Sequence, residues 1–159
     1  MKKILTLIIT LTVFFSGCTI SSVEDYYNST EAKGDKAVSI SINCQTAVDY
    51  PNSKRDNGKI LGGCQVYVDE NATVFDVLKE ACKINKIQMD YEGSGNSVYV
   101  KGIDYLYEFD CGDLSGWQYS VNDKFYSVGC NSFIPQNGDT VRWIYTCDLG
   151  EDIGNHFGD

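Results

Sequence analysis

The chain has 159 residues, with 22 acidic side chains against 13 basic ones and a single histidine, for a formal charge of −9. That length supports one domain with a core of its own. With no basic patch to displace counterions, the composition argues against a nucleic-acid partner, and it also disfavours adhesion to anionic lipid other than through a covalent anchor.

The chain opens "MKKILTLIITLTVFFSGCTISS". Lys2 and Lys3 form a positive start, and Ile4 to Phe15 is an apolar run of leader length, too short to span a bilayer comfortably. The run ends in Phe15-Ser16-Gly17-Cys18, which resembles the lipobox of bacterial lipoproteins, although Phe15 stands where Leu is usual. The resemblance implies cleavage before Cys18 and acylation of its thiol. Residues 1–17 are therefore expected to be a lipoprotein signal peptide, and 18–35 the acylated Cys18 with a polar, aperiodic tether. The folded part, 36–150, is expected to stand on the outer face of a bacterial cell membrane, with 151–159 as a polar tail. Losing Lys2 and Lys3 with the leader takes the charge to −11.

In "KAVSISINC", Val38, Ile40, Ile42 and Cys44 alternate with small polar residues, which predicts a half-buried strand. The long segment "QTAVDYPNSKRDNGKILGG" reads as a loop, and "CQVYVDE" as a second strand with Cys64, Val66 and Val68 on one face. "NATVFDVLKEACKINKI" predicts a helix. Thr73 and Asp76 sit at capping-box spacing, and Val74, Val77, Leu78, Ala81 and Cys82 form one stripe. Strands then follow in "SVYVKGI" and in "YLYEFDC", where Tyr105, Tyr107, Phe109 and Cys111 would share a face. "GWQYSVNDKFYSVGC" reads as a hairpin turning at Asn122-Asp123, and "TVRWIYTC" as a last strand aligning Val141, Trp143, Tyr145 and Cys147.

This order predicts an α+β domain: a β-grasp-like mixed sheet packed on one helix. Six cysteines follow Cys18, an even number in a chain with a leader, and the sequence has one His and no CxxC pair. Disulfides are the expectation and a zinc site the rival. In a β-grasp the first and last strands lie parallel at the sheet centre, which would set Cys44 beside Cys147. Cys64 would join Cys82 under the helix, leaving Cys111 for Cys130.

Three stretches, "TVFDVLKEAC", "YLYEFDCGDLSGWQYSVNDKFYSVGC" and "NGDTVRWIYTCDLGEDIG", resemble the transcobalamin C-terminal-like domain, a domain of unknown function in bacterial surface proteins. The sharpest signals are Gly116-Trp117 with Tyr119 and Val121-Asn122, then Gly138-Asp139 before Val141-Arg142-Trp143, and the closing Asp148-Leu149-Gly150. The resemblance spans about 36–154 and implies a β-grasp fold without catalytic residues. In the animal vitamin B12 carriers this domain is the smaller of two and covers one face of the corrin. The 142 residues after the leader leave no room for the larger helical partner, and no corrin contact of the carriers maps onto a numbered position here.

His156 lies in a Gly-rich tail, and neither the Asp148, Glu151, Asp152 group nor the Asp110, Asp113 pair matches an EF-hand loop. No nucleophile–base pair stands out, so neither an enzyme nor a resident metal or cofactor is expected. Eleven Tyr, seven Phe and two Trp exceed what one small core needs. Tyr99, Tyr107 and Tyr119 are candidate contacts for a flat ligand. Trp117 and Trp143 suit core anchors, and the contacts singled out for a ligand are Tyr105, Tyr126, Tyr50 and Trp117. The expected function is a non-catalytic, ligand-binding surface lipoprotein, with cobalamin or another corrinoid as the ligand. The alternative is an adhesion or assembly module holding a surface protein or glycan.

Overall fold

The computed structural model describes residues 34–50 and 57–156. The leader, Cys18 and most of the tether lie outside the described residues. Among the described residues, eight strands and one α-helix make a mixed α+β fold. The strands are β1 (Lys36–Asn43), β2 (Lys59–Val68), β3 (Met89–Glu92), β4 (Tyr99–Ile103), β5 (Leu106–Tyr107), β6 (Gly116–Val121), β7 (Lys124–Phe125) and β8 (Thr140–Thr146), and the helix is α1 (Val74–Asn85). Five strands form the main sheet in the order β2-β1-β8-β6-β7, and three form a smaller one, β3-β4-β5. β1 runs parallel to β8 from Ser39 opposite Thr140 to Asn43 opposite Ile144. The other pairings in both sheets are antiparallel.

The alternation in β1 does what period-2 patterning requires: Val38, Ile40 and Ile42 are buried on one face while Ser39, Ser41 and Asn43 stay half-exposed on the other. α1 begins in a full capping box. Thr73 Oγ1 accepts the Asp76 amide at 3.2 Å, and Asp76 Oδ2 accepts the Thr73 amide at 3.0 Å. Two further amides at that end, of Val74 and Phe75, donate to the carbonyls of Phe133 and Cys130, so a distant loop satisfies the helix terminus. The helix ends at Lys86, whose φ of 54° is left-handed. Its buried stripe of Val74, Val77, Leu78 and Ala81 packs on β2 and β1. At the entrance of β1, the buried Lys36 ammonium donates to the carbonyls of Glu70 and Ala72, which makes burial of its charge tolerable.

Several expectations are corrected. The strand at Cys64 begins earlier, at Lys59, inside the stretch read as loop, because Leu61 and Lys59 pair with Ile42 and Asn43 across an irregularity. β3, which sequence reading passed over, pairs with β4. "YLYEFDC" is a strand only at Leu106–Tyr107, since Tyr105 (φ 63°) and Phe109 (φ 67°) are left-handed and break the alternation. The hairpin does turn at Asn122 (φ 51°) and Asp123 (φ 63°), the two positive values a tight two-residue turn requires.

Among the described cysteines no disulfide is formed, and the three expected pairings meet specific obstacles. Cys44–Cys147 fails on register. Asn43 lies opposite Ile144, so Cys44 is level with Tyr145, and the Cys147 sulfur runs past it to the Thr46 carbonyl at 3.5 Å. Cys111 and Cys130 are not joined: the Cys130 sulfur is turned to the Val98 carbonyl at 3.9 Å, and the Cys130 carbonyl accepts the Phe75 amide at the start of α1. For Cys64–Cys82, the half-buried Cys64 sulfur meets the Asn85 amide at 3.8 Å, while Cys82 lies beneath the helix, 3% exposed.

Candidate functional site

The β6–β8 register sets Trp117 opposite Tyr145, Tyr119 opposite Trp143 and Val121 opposite Val141, all on the inward face of the main sheet. The rings touch in pairs. Trp117 meets Tyr145 edge-on at 5.2 Å between centroids, and Tyr119 meets Trp143 at 5.8 Å. α1 packs over β2 and β1, and over β6 the cover is β4 of the smaller sheet together with the loop after β7. That loop is braced by Tyr126 against Phe133 at 4.4 Å and by the Tyr119 hydroxyl donating to the Val128 carbonyl at 2.7 Å.

Rings of fixed shape do not close this space. A cleft of about 320 Å³ remains between Val98 and the start of β4 (Tyr99 and Val100), the Trp117, Tyr119 and Trp143 wall, and residues 126–130. Gln118 and Asn155, joined by a 2.7 Å hydrogen bond, close one end. The polar tips are mostly occupied: the Trp117 indole donates to the Leu106 carbonyl at 2.9 Å. The buried Trp143 Nε1 has no hydrogen-bond partner among the described residues.

Tyr119, Tyr99 and Cys130 are held neutral here. Burial first, and then neighbouring Cys130 and Tyr126, push the Tyr119 phenol up to about 12. Burial, with Glu108 accepting its hydrogen bond, raises Tyr99 to about 12 as well. The Cys130 thiol is pushed up to about 11, chiefly by burial. At neutral pH the cleft therefore offers aromatic faces and a protonated thiol, which is a poor nucleophile. Its chemistry is that of contact with an apolar, flat group.

Of the residues expected to touch a ligand, Trp117 and Tyr126 come together in this cleft, joined by Tyr99 and Tyr119. Tyr105 is 71% exposed in the turn between β4 and β5, and Tyr50 lies beside Cys147. Trp143, expected only as a core anchor, is part of the wall. The period-2 alignment of Trp117, Tyr119 and Trp143 was visible in the sequence, but the gap facing them depends on where β4 and residues 126–130 settle. The acidic loop after β8 folds back on the end of that strand: Asp152 accepts from the Thr146 hydroxyl and from the Cys147 amide, and His156 pairs with Glu151.

No curated protein matches the chain. Among solved structures it is similar to a protein of Ruminococcus gnavus ATCC 29149 described as a suspected metal-binding protein. The identity is 12%, covering 70% of this chain and 97% of that one, with a TM-score of 0.47. It is also similar to haptocorrin, solved in complex with Cbi, at 17% identity over 75% of this chain and 27% of haptocorrin, with a TM-score of 0.49. The chain thus spans about a quarter of haptocorrin's length. From just before α1 to the end of β8, residues 71–146 match the family model DUF4430, a domain of unknown function, a stretch that lies within the transcobalamin-like resemblance over about 36–154.

Proposed function

We propose that this chain is a non-catalytic binding domain whose aromatic cleft takes a flat, largely apolar ligand. The observation that carries the reading is the convergence of Tyr99, Trp117, Tyr119, Tyr126 and Trp143 on one cleft, in which the Tyr99 and Tyr119 phenols and the Cys130 thiol are held protonated. The transcobalamin-like resemblance suggests a corrinoid such as cobalamin. Ligand sites run from roughly 300 to 1,000 Å³, so a cleft of about 320 Å³ holds one edge or substituent of a corrin-sized molecule and leaves the rest uncovered. The finer architecture reads as a β-grasp, supported by the parallel β1–β8 centre and by a helix that follows the β1–β2 pair. The leader supports an exported chain, acylated at Cys18 and standing on the outer membrane face.

Calorimetric and tryptophan-fluorescence titration with cobalamin and cobinamide tests the reading. Binding at micromolar concentration or below, weakened at least tenfold by Tyr126→Ala, supports it. No heat and no spectral change at millimolar ligand overturns it. Labelled fatty acid incorporated by the wild type and lost in Cys18→Ser tests the anchor. The alternative, a module that docks on a surface protein or glycan, is favoured by the exposed Phe109, Leu114 and Leu149, the last two joined through a backbone hydrogen bond.

A further inference from the structure

Backbone geometry brings Cys111 and Cys147 to the two sides of a single residue. The β6–β8 register pairs Gly116 with Thr146, which sets Ser115 opposite Cys147. From the other direction the chain folds back on itself. The Ser115 amide donates to the Gly112 carbonyl at 2.9 Å, and the Cys111 amide donates to Ser115 Oγ at 3.1 Å. The Leu149 amide donates to the Leu114 carbonyl at 3.0 Å, holding the same two segments together one step further on. The side chains follow the backbone: the two thiols lie near enough to perturb each other, with the Tyr145 hydroxyl beside Cys111 and Tyr50 beside Cys147.

We propose that Cys111 and Cys147 are a disulfide-forming pair, and that their bond clamps the loop entering β6 to the end of β8. Two S–H bonds are lost and one S–S bond forms. The two electrons and two protons pass to a disulfide oxidant, which leaves as two thiols. The closed loop contains Trp117, Tyr119, Tyr126 and Trp143, so the bond encircles the aromatic wall of the cleft. Burial holds the Cys111 thiol up at about 11 and raises that of Cys147. A pair so protonated exchanges slowly once folded, which suits a bond made during folding rather than a redox centre that cycles.

Tryptic digestion separates all seven cysteines, with Cys111 on 102–124, Cys130 on 125–142 and Cys147 on 143–159. The full chain is refolded in a mixture of reduced and oxidised glutathione, alkylated without reductant and digested. The expected result is a 102–124/143–159 conjugate that disappears on reduction and persists in Cys130→Ser. Recovery of Cys111 or Cys147 in alkylated form, or a conjugate of either with any other peptide, overturns the pairing. The oxidised wild type should also melt several degrees above Cys111→Ser, with the gap closing in reductant. Equal midpoints under both conditions overturn the clamp.

Discussion

On the β2 and β1 side of the main sheet, Val74, Val77, Leu78 and Ala81 of α1 interlock with Val38, Ile40, Ile42 and Val66, every one of them at most 1% exposed. On the β8 and β6 side the inward residues are Trp117, Tyr119, Trp143 and Tyr145, facing β4 and a loop instead of a helix, and a cleft stays open against them. Branched aliphatic side chains on a helix can slide into one another until little space remains. Planar rings, three of these four tied down at their polar tips, cannot. The difference separates a half whose interior is filled by interlocking aliphatic side chains from a half whose aromatic wall is left open.

That division can be broken experimentally. Leu78→Ala, at a fully buried position of α1, should cost about 2–5 kcal/mol in denaturant unfolding and change cobinamide affinity by less than about twofold. Tyr126→Ala should do the reverse. Its ring is half-exposed and lines the cleft, so the expected loss is at least tenfold in affinity, about 1.4 kcal/mol, with a smaller effect on stability. A comparable affinity loss from both variants would erase the distinction between the two halves.

The seam between the halves is the start of α1, where Thr73→Ala should cost about 1 kcal/mol through loss of the cap. Burial would raise the Asp76 carboxyl, but hydrogen bonds from Thr73 and Lys79 prevail and hold it below its ordinary value. Because its folded value is depressed, the stability it contributes is present above the ordinary carboxylate range and is lost as pH falls through the folded value. The wild-type midpoint should therefore drop more steeply than that of Asp76→Asn as pH is lowered below about 4. A parallel decline in the two proteins would remove the carboxylate from the account. Smallest of all, Tyr105→Ala at an exposed turn should move stability by no more than about 0.5 kcal/mol and leave affinity unchanged.

Local chemistry made much of this legible from residues alone. The Thr73 and Asp76 spacing marked the start of α1, the Ser-Ile-Ser-Ile alternation marked the buried face of β1, and Asn122-Asp123 marked a turn. What the residues did not reveal depended on the meeting of distant segments. Tyr105 looked like a strand residue until Asp104 and Tyr105 both turned left-handed. Cys147 looked level with Cys44 because the parallel register, which decides the match, is not written in either strand. The aromatic alignment could be counted in advance, but a cavity is defined by what fails to fill it, and that required the position of the loop after β7.

The parallel β1–β8 pairing has a consequence for how the chain reaches this state. During synthesis β1 and its antiparallel neighbour β2 emerge together, while Ser39 must wait for Thr140 to close the sheet's centre. Contacts so remote in sequence carry a large loop-closure cost and slow folding. Until β8 arrives, one whole edge of β1, with Ile40 and Ile42 alongside it, stays unpaired and able to recruit strands from other molecules. The central strand of the finished sheet is thus the nascent chain's most adhesive edge, and its protection depends on the last strand to be made.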